Sequence, residues 1–492
     1  MNDVRTRFAP SPTGFMHVGN LRTALYAYLL AKSQGGKFIL RIEDTDRARY
    51  VDGAVDVIYN TLKLAGLEHD EGPDKDGGYG PYVQSQRKGM YRQYAEQLVE
   101  KGAAYYSFET RPRTEEDANH EEDADPSADI AGEDDGLEPE FDLAAAKAKI
   151  AAGVPHVIRQ KIDRDGSTTF TDSVFGEITI ENKVLDDQIL LKSDGMPTYN
   201  FANVVDDHLM RITHVVRGAE YLPSTPKYNL LYQAFGWDIP AYVHLPLIMG
   251  KNPDGTVAKL SKRHGSVSFE NLLAEGYLPE AIINYIALLG WSPKNDREIF
   301  SLAELREFFS ISGLNKAPAV FDYDKLAWMN GEYVKLLPLK TFESLAEPFA
   351  MLDGTVLSGQ WPKIAPLLHQ RTAVFSEIPA KIHFLLTLPE YDIELFSNKK
   401  CKSTPEIAAK ILPEVAELLR SLPEWNLEAL TSVLTEYAQT NNYKLNLATW
   451  APRIALSGQA ATPGGAFEIL NILGRDESLR RIEKGMEKLK AN

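Results

Sequence analysis

At 492 residues, 44% of them apolar and 25% charged, the chain has ordinary globular composition and is too long for one hydrophobic core, so several domains are expected. The opening MNDVRTRFAPSPTG lacks the apolar stretch a secretory signal needs, and no apolar run approaches the length of a membrane-spanning helix. The net charge of −16 argues against a polyanionic partner, but residues 115–142 alone hold fourteen Asp and Glu and no Lys or Arg; the rest of the chain stands at −2, so charge neither supports nor excludes RNA binding.

In chain order, residues 4–9 form a short extended run, and the breaker cluster Pro10-Ser11-Pro12-Thr13-Gly14 makes the loop after it. Apolar Leu21, Leu25, Tyr28 and Leu29 at three- and four-residue spacing predict a helix closed by Gly35-Gly36. Residues 37–42 read as the next strand, and a β-α-β unit of this length implies a parallel sheet with a right-handed crossover. Helices are expected at about residues 53–65 and 87–101. The segment 114–142, rich in Ala, Pro, Gly and acids, lacks the apolar content to order itself. A helix over 143–152 ends at Gly153, and strand-like runs follow at 156–162, 168–171, 176–180 and 188–192. This β-rich block reads as an insertion, because a βα pattern returns at 204–217 and 227–235. From about residue 270 nearly every periodic segment is helical, as at 279–289, 405–419 and 427–437. Cys401 is the only cysteine, which excludes an intramolecular disulfide and a thiolate zinc cage and agrees with a reducing cytoplasm.

Three constellations carry chemistry. His17-Val18-Gly19-Asn20 stands between the Pro-rich loop and a helix, where unpaired N–H groups and the positive dipole end favour phosphate; the same His is also an ordinary capping or packing residue. Lys259-Leu260-Ser261-Lys262-Arg263 places three cations within five residues, enough to grip a triphosphate, or simply to form a solvated basic loop. Ile42-Glu43-Asp44-Thr45-Asp46 sets carboxylates at a strand end, where they can bind an amine or a metal or cap the next helix.

In combination these motifs resemble the class I aminoacyl-tRNA synthetases: Pro10 to Gly14 with His17-Val18-Gly19-Asn20 matches the "HIGH" signature, and Lys259-Leu260-Ser261-Lys262-Arg263 the "KMSKS" loop. More narrowly, Arg7-Phe8-Ala9-Pro10-Ser11-Pro12-Thr13-Gly14, Arg41-Ile42-Glu43-Asp44-Thr45-Asp46 and Tyr199-Asn200-Phe201-Ala202-Asn203-Val204-Val205-Asp206-Asp207-His208 resemble the bacterial glutamyl-tRNA synthetases. The resemblance runs from residue 4 to about residue 335 and continues weakly to the C-terminus.

The resemblance implies ATP-dependent activation of L-glutamate and its transfer to the 3′ end of tRNA(Glu), with AMP and pyrophosphate released. It assigns Arg7 and Tyr199 to the side-chain carboxylate of glutamate and Glu43 to the ammonium, with Ser11 and Arg217 orienting the substrate and Ala9 and Asn203 in the same pocket. A forked guanidinium suits that carboxylate in a way Lys cannot copy. His17, Gly19, Asn20, Glu220 and Lys262 fall to ATP, with His17, Lys259 and Lys262 as the catalytic cations and donors. Mg2+ is implied by the triphosphate, with no metal-ligand motif of its own. Tyr82-Val83-Gln84-Ser85-Gln86-Arg87 resembles a family stretch near the acceptor end, so Gln84, Ser85 and Arg87 are expected at tRNA, as are Arg371, Thr462 and Pro463 at the anticodon. Arg7 as a surface residue and Tyr199 as a core aromatic are the ordinary alternatives.

The chain departs from the family at Tyr105-Tyr106-Ser107-Phe108-Glu109-Thr110, where many relatives carry zinc-binding cysteines, so no zinc is expected. The acidic stretch that follows also differs from the basic segment expected of an acceptor-binding insert. The expected organisation is an α/β, doubly wound, Rossmann-like catalytic domain in two halves (1–103 and 196–265), an acceptor-binding insert (104–195, with 114–142 disordered), a helical junction (266–335) and an all-α anticodon-binding half (336–492). A cytoplasmic monomer without membrane contact is expected. The alternatives are an enzyme that also charges tRNA(Gln) and a non-catalytic tRNA-binding paralogue. Glutaminyl relatives end in β-barrels and the glutamyl-queuosine relative lacks an anticodon half, whereas this tail is long and helical.

Overall fold

β1 (Arg5–Phe8) and β2 (Lys37–Leu40) run parallel, with α1 (Val18–Ser33) as the crossover between them. α1 is buried at eleven positions from Val18 to Ala31, so its sequence is apolar nearly all round. The turn into β2 passes Gly36, where a Cβ would fall 2.1 Å from the Val4 carbonyl oxygen, so only glycine fits. This computed structural model describes residues 3–45, 51–109, 136–252, 254–260 and 267–491. The chain divides into two units, Met1–Leu273 with Pro279–Tyr323, and Ala274–Leu278 with Asp324–Asn492.

In the first unit α2 (Ala54–Leu64) and α3 (Lys88–Glu100) lead to β3 (Ala104–Glu109), β4 (Leu137–Glu140), β5 (His156–Gln160), β6 (Ser167–Asp172), β7 (Gly176–Glu181) and β8 (Ile189–Leu191). After the helix Tyr199–Leu209 come β9 (His214–Gly218), the helix Thr225–Phe235 and β10 (Ala241–Leu245). Strands β4-β3-β5-β8 make one antiparallel sheet and β7-β6-β10-β9 a mixed one. In the second sheet β9 and β10 are parallel, and β10 meets β6 in parallel at Tyr242 and Asp172. Thr213 N–H donates to the Arg5 carbonyl at 2.9 Å, and Arg5 N–H donates to Thr213 Oγ1 at 2.8 Å, which joins β1 to the entry of β9. The result is the doubly wound parallel core expected from the sequence.

Two expectations need correction, at residues 204–209 and in the acidic segment. Within the β-rich block, β6 and β7 join the sheet of β9 and β10 while β5 and β8 pair elsewhere. Alternation explains it: Thr168, Phe170 and Asp172 of β6 face the core, with Phe170 packed edge-on against Tyr242. Residues 204–209 finish a helix instead of starting a strand. That helix is buried without a break from Phe201 to Asp207, so Val204 and Val205 show no helical period. Finally, the acidic segment is ordered at its end: β4 pairs with β3 over four residues, and Asp142 caps the helix Leu143–Ala151 through Ala144 and Ala145 N–H. The remainder of that segment, up to residue 135, lies outside the described residues.

β11 (Ile248–Lys251) runs antiparallel to β12 (Val257–Lys259) and parallel to β13 (Ala319–Phe321), which fixes Lys259 opposite Met249. The second unit is helical among its described residues. In Pro405–Ser421, Thr404 caps the start, and Ala408, Ile411, Leu412, Val415, Ala416 and Leu419 form the buried stripe. Fully buried Arg481 donates to the carbonyls of Phe384, Leu385 and Leu456 at 2.6, 3.0 and 2.8 Å, closing two helix ends with one cation. No helix among the described residues is long and apolar enough to cross a membrane.

Candidate active site

Where β1 and β2 end, three arginines and three carboxylates are buried together: Arg7, Arg41 and Arg87 with Glu43, Asp206 and Asp207. Arg7 Nε donates to the two oxygens of Asp207 at 3.0 and 3.2 Å, and Arg41 Nη1 reaches the same carboxylate at 2.7 Å. Arg41 also donates to Glu43 Oε1 from Nη2 at 2.8 Å and from Nε at 3.2 Å. Asp206 accepts from Arg87 Nε at 2.7 Å, Tyr91 at 2.8 Å and Gln84 at 2.9 Å. Burial works against the Arg41 cation, but Asp207, Glu43 and Asp206 outweigh it and hold its ionisation well above the usual arginine value. Burial would likewise raise Asp207, and Arg7 and Arg41 reverse the sign, keeping it ionised. For Glu43 burial wins and pushes the carboxyl up. Removing one member of such a set strands a buried charge, typically ~3–5 kcal/mol.

The set is incomplete at its open side. Among the described residues, Glu43 Oε2 is buried with no hydrogen-bond partner. Arg217, on β9, is buried, and among the described residues no carboxylate lies within ion-pair distance of it. Burial chiefly pushes the Tyr199 hydroxyl's ionisation up, with the Glu43 charge adding to it and Arg217 opposing it, and its ring is 5.7 Å from that of Tyr221. Asn203 donates to the Tyr199 carbonyl at 2.8 Å, stiffening the first turn that carries the tyrosine. Ala9 and exposed Ser11 lie on the loop leaving β1.

His17 is the N-cap of α1, and its Nδ1 accepts the Gly19 N–H at 3.0 Å, so the ring proton sits on Nε2 and points away from the helix. Burial and the nearby Lys259 charge push the imidazole down, keeping it a neutral donor. A Cβ at Gly19 would press on His17 Nδ1 at 3.2 Å. The chain after the Lys-rich loop is pinned beside this turn: Val18 N–H donates to the Val267 carbonyl at 2.9 Å, and Phe269 N–H to that of Met16 at 3.0 Å. The two signature motifs thus come together at exposed Lys259, whose charge acts on half-buried His17, with exposed Asn20 on the same helix turn. Ser261, Lys262 and Arg263 lie outside the described residues, as does Asp46. Glu220 follows β9, and a Cβ at Gly218 would meet its carboxylate at 2.0 Å, so this glycine makes room for it.

Gln84 and Arg87, expected at tRNA, are held inside the first unit. Both side chains are buried and bound to Asp206, and Ser85 donates to Asp44 through N–H and Oγ at 2.8 and 2.6 Å. Within this polar run, Gln84 and Arg87 anchor Asp206. In the second unit Arg371 is exposed at the end of a short helical turn. Thr462 donates to the Gly464 carbonyl at 2.6 Å and accepts from Arg453 at 3.1 Å, which folds the loop carrying Pro463. Gly464 packs so closely on Leu367 that a Cβ would sit 2.9 Å from it, placing this loop near the helix that precedes Arg371. Sequence reasoning assigned no role to Arg41, Asp206 and Asp207, although all three stood inside quoted motifs, and it missed Asp172 and His244, which no motif marked.

Comparison with known proteins agrees with this geometry. The family model for class I tRNA synthetases (E and Q), catalytic domain, matches residues 3–328, and an anticodon binding domain matches residues 341–486. The chain is 54% identical over 491 residues to a glutamate–tRNA ligase of Clostridium botulinum, covering 100% of this chain and 99% of that protein. It is 52% identical to one of Clostridium novyi, over 99% of this chain and 98% of that one. Among solved structures, a glutamate tRNA ligase from Elizabethkingia meningosepticum in complex with its amino acid superposes with a TM-score of 0.83 at 35% identity, covering 99% of this chain and 100% of the other.

Proposed function

The chain belongs to the class I tRNA synthetases of the E and Q family, and we propose that it joins L-glutamate to tRNA in two steps driven by ATP. It acts as a glutamate–tRNA ligase: glutamate and ATP give the glutamyl adenylate and pyrophosphate, and a ribose hydroxyl at the 3′ end of tRNA(Glu) then displaces AMP. The observation that carries this reading is that, among the described residues, one buried region holds both a carboxylate oxygen without a hydrogen-bond partner, Glu43 Oε2, and an arginine that no carboxylate pairs, Arg217. An α-ammonium completes the first and a carboxylate the second, while Arg7 and Tyr199 take the remaining carboxylate.

The first step needs no general base, because the α-carboxylate is already an anion that can attack the α-phosphate in line. The protein must hold two anions together and follow charge onto the leaving pyrophosphate, so positioning and electrostatics supply the rate. His17 offers Nε2–H to a phosphate oxygen, the α1 N-terminus adds its dipole, and Lys259 and Lys262 supply charge, with Gly19, Asn20 and Glu220 around the nucleotide. Magnesium would come with the ATP phosphates; among the described residues no three His, Cys, Asp or Glu side chains converge on a metal position, so no protein ligand is assigned to it. Arg371, Thr462 and Pro463 are proposed for the anticodon, β3, β4, β5 and β8 for the acceptor end without zinc, and the working form is a cytoplasmic monomer.

ATP–pyrophosphate exchange with glutamate and tRNA tests the reading, followed by charging of purified tRNA(Glu) and tRNA(Gln). Exchange is expected with glutamate and not with glutamine. Its absence, or equal exchange with both amino acids, would overturn the assignment of the pocket.

A further inference from the structure

Among the described residues, Arg217 is a buried cation with no carboxylate in ion-pair contact. Its guanidinium faces the rings of Tyr228, Tyr221 and Tyr242 at 4.5, 5.1 and 5.6 Å, and Nη2 donates to Thr225 Oγ1 at 3.1 Å. Nε donates to His244 Nε2 at 3.2 Å. His244, fully buried on β10, turns its other ring nitrogen to Asp172 Oδ2 at 2.8 Å. Asp172, buried at the end of β6, accepts from Val174 and Phe175 N–H on Oδ1 and from His244 N–H and ring on Oδ2. A carboxylate ringed by four donors stays ionised and can only accept, so the His244 proton sits on Nδ1 and Nε2 is bare. The other tautomer would turn an N–H against the Arg217 N–H, and an imidazolium would add a third cation beside Arg217 and Arg7, both of which act on this ring.

We propose that His244, fixed in this tautomer by Asp172, is a positioning residue that aims Arg217 at a carboxylate of the amino-acid substrate. The proposal rests on the reading of the pocket as a glutamate site. A carboxylate in contact with Arg217 would neutralise it before the substrate arrived. A neutral imidazole orients the guanidinium without neutralising it, and places the balancing anion, Asp172, one ring further away. The relay brings together three strands, β6, β9 and β10, of which only β9 carries a residue marked by the sequence motifs.

The test is ATP–pyrophosphate exchange by the full chain, with KM for glutamate and KM for ATP measured separately for His244→Asn, His244→Gln and Asp172→Asn. Gln can put its carbonyl oxygen where Nε2 accepts from Arg217, whereas Asn reaches only towards Asp172. KM for glutamate is expected to rise about 10- to 100-fold in His244→Asn and Asp172→Asn, to stay within about 3-fold in His244→Gln, and KM for ATP to change little in all three. Asn and Gln variants that behave alike, or glutamate and ATP values that rise together, would overturn the proposal. Should the substitutions unfold the chain, histidine-ring 15N NMR of the unaltered protein decides: a protonated Nδ1 and bare Nε2 are expected at pH 7, and the opposite tautomer refutes the relay. Absence of glutamate-dependent exchange in the unaltered protein would instead sink the reading of the pocket, and this proposal with it.

Discussion

Arg41 donates to Glu43 at 2.8 and 3.2 Å, and both bonds end on Oε1, leaving Oε2 buried with no partner among the described residues. One oxygen fixes the carboxylate while the other stays available, which is the arrangement an incoming ammonium needs. It also explains why the residue tolerates burial that pushes its carboxyl up: Arg41 holds one side, and the substrate would complete the other. Glu43→Gln keeps the shape and removes the charge. KM for glutamate is expected to rise about 10- to 100-fold, the usual effect of losing a charge-assisted hydrogen bond, with KM for ATP little changed. Steady-state exchange kinetics measure both, and an unchanged glutamate KM would remove Glu43 from the pocket.

Lys262 should act on charge that develops as pyrophosphate leaves, because its motif follows β12, where Lys259 already bears on His17. Lys262→Ala is expected to lower kcat of adenylate formation by ~100- to 1000-fold while KM for ATP moves little. A raised ATP KM at unchanged kcat would make Lys262 a ground-state contact and nothing more.

The pH dependence of stability has a definite sign at His244. Burial is the main cause that pushes its ionisation down from 6.5 to about 4. An unfolded chain takes the proton near 6.5 and the folded one only near 4, so between these values the unfolded state binds more protons. The contribution is therefore fully present above about pH 6.5 and is lost as pH falls towards 4, an amount on the order of 3 kcal/mol. Thermal melts from pH 7.5 down to 4.5 should fall less steeply in His244→Gln than in the unaltered chain. Parallel slopes would mean that folding leaves the imidazole's proton affinity unchanged.

What the sequence makes legible is local. The α1 period, the Gly35-Gly36 stop and the Thr404-Pro405 helix start are each set by neighbours a few residues away, and the structure follows them. Residues 204–209 were misread because a helix buried on all sides loses its polar face, the feature on which the helical period depends. The candidate site is marked in the sequence only where a motif resembles a family, as at Arg7, His17, Glu43 and Lys259. Its supports are not, because Gln84 and Arg87 meet Asp206 across 122 and 119 residues and His244 meets Asp172 across 72, and no local pattern encodes such a partner. A polar side chain reads as exposed until the residue that satisfies it is located.

The acidic segment divides into two parts that deletion should separate. Its composition up to residue 135 cannot bury enough apolar surface to offset the entropy of ordering, and its unbalanced acids should repel a polyanion over about one Debye length, ~8–10 Å at ordinary salt. Removing residues 115–134 is therefore expected to preserve folding and charging and to strengthen tRNA binding slightly at low salt, with the gain fading as salt rises. The part that follows is structural. Leu137, Glu138, Pro139 and Glu140 pair with Glu109, Phe108, Ser107 and Tyr106, Lys149 donates to Glu140 at 2.8 Å, and Phe141 packs 4.9 Å from Tyr105. Asp142 caps the next helix, a contact typically worth ~1 kcal/mol. Extending the deletion through Asp142 strips the edge from β3 and the cap from the helix together, so it should lower Tm and aminoacylation where the shorter deletion does not. Melting curves and charging rates of the two deletions decide the matter. Equal, harmless behaviour would mean that β4 contributes nothing, and loss of charging in the shorter deletion would give the acidic stretch a function that its composition does not reveal.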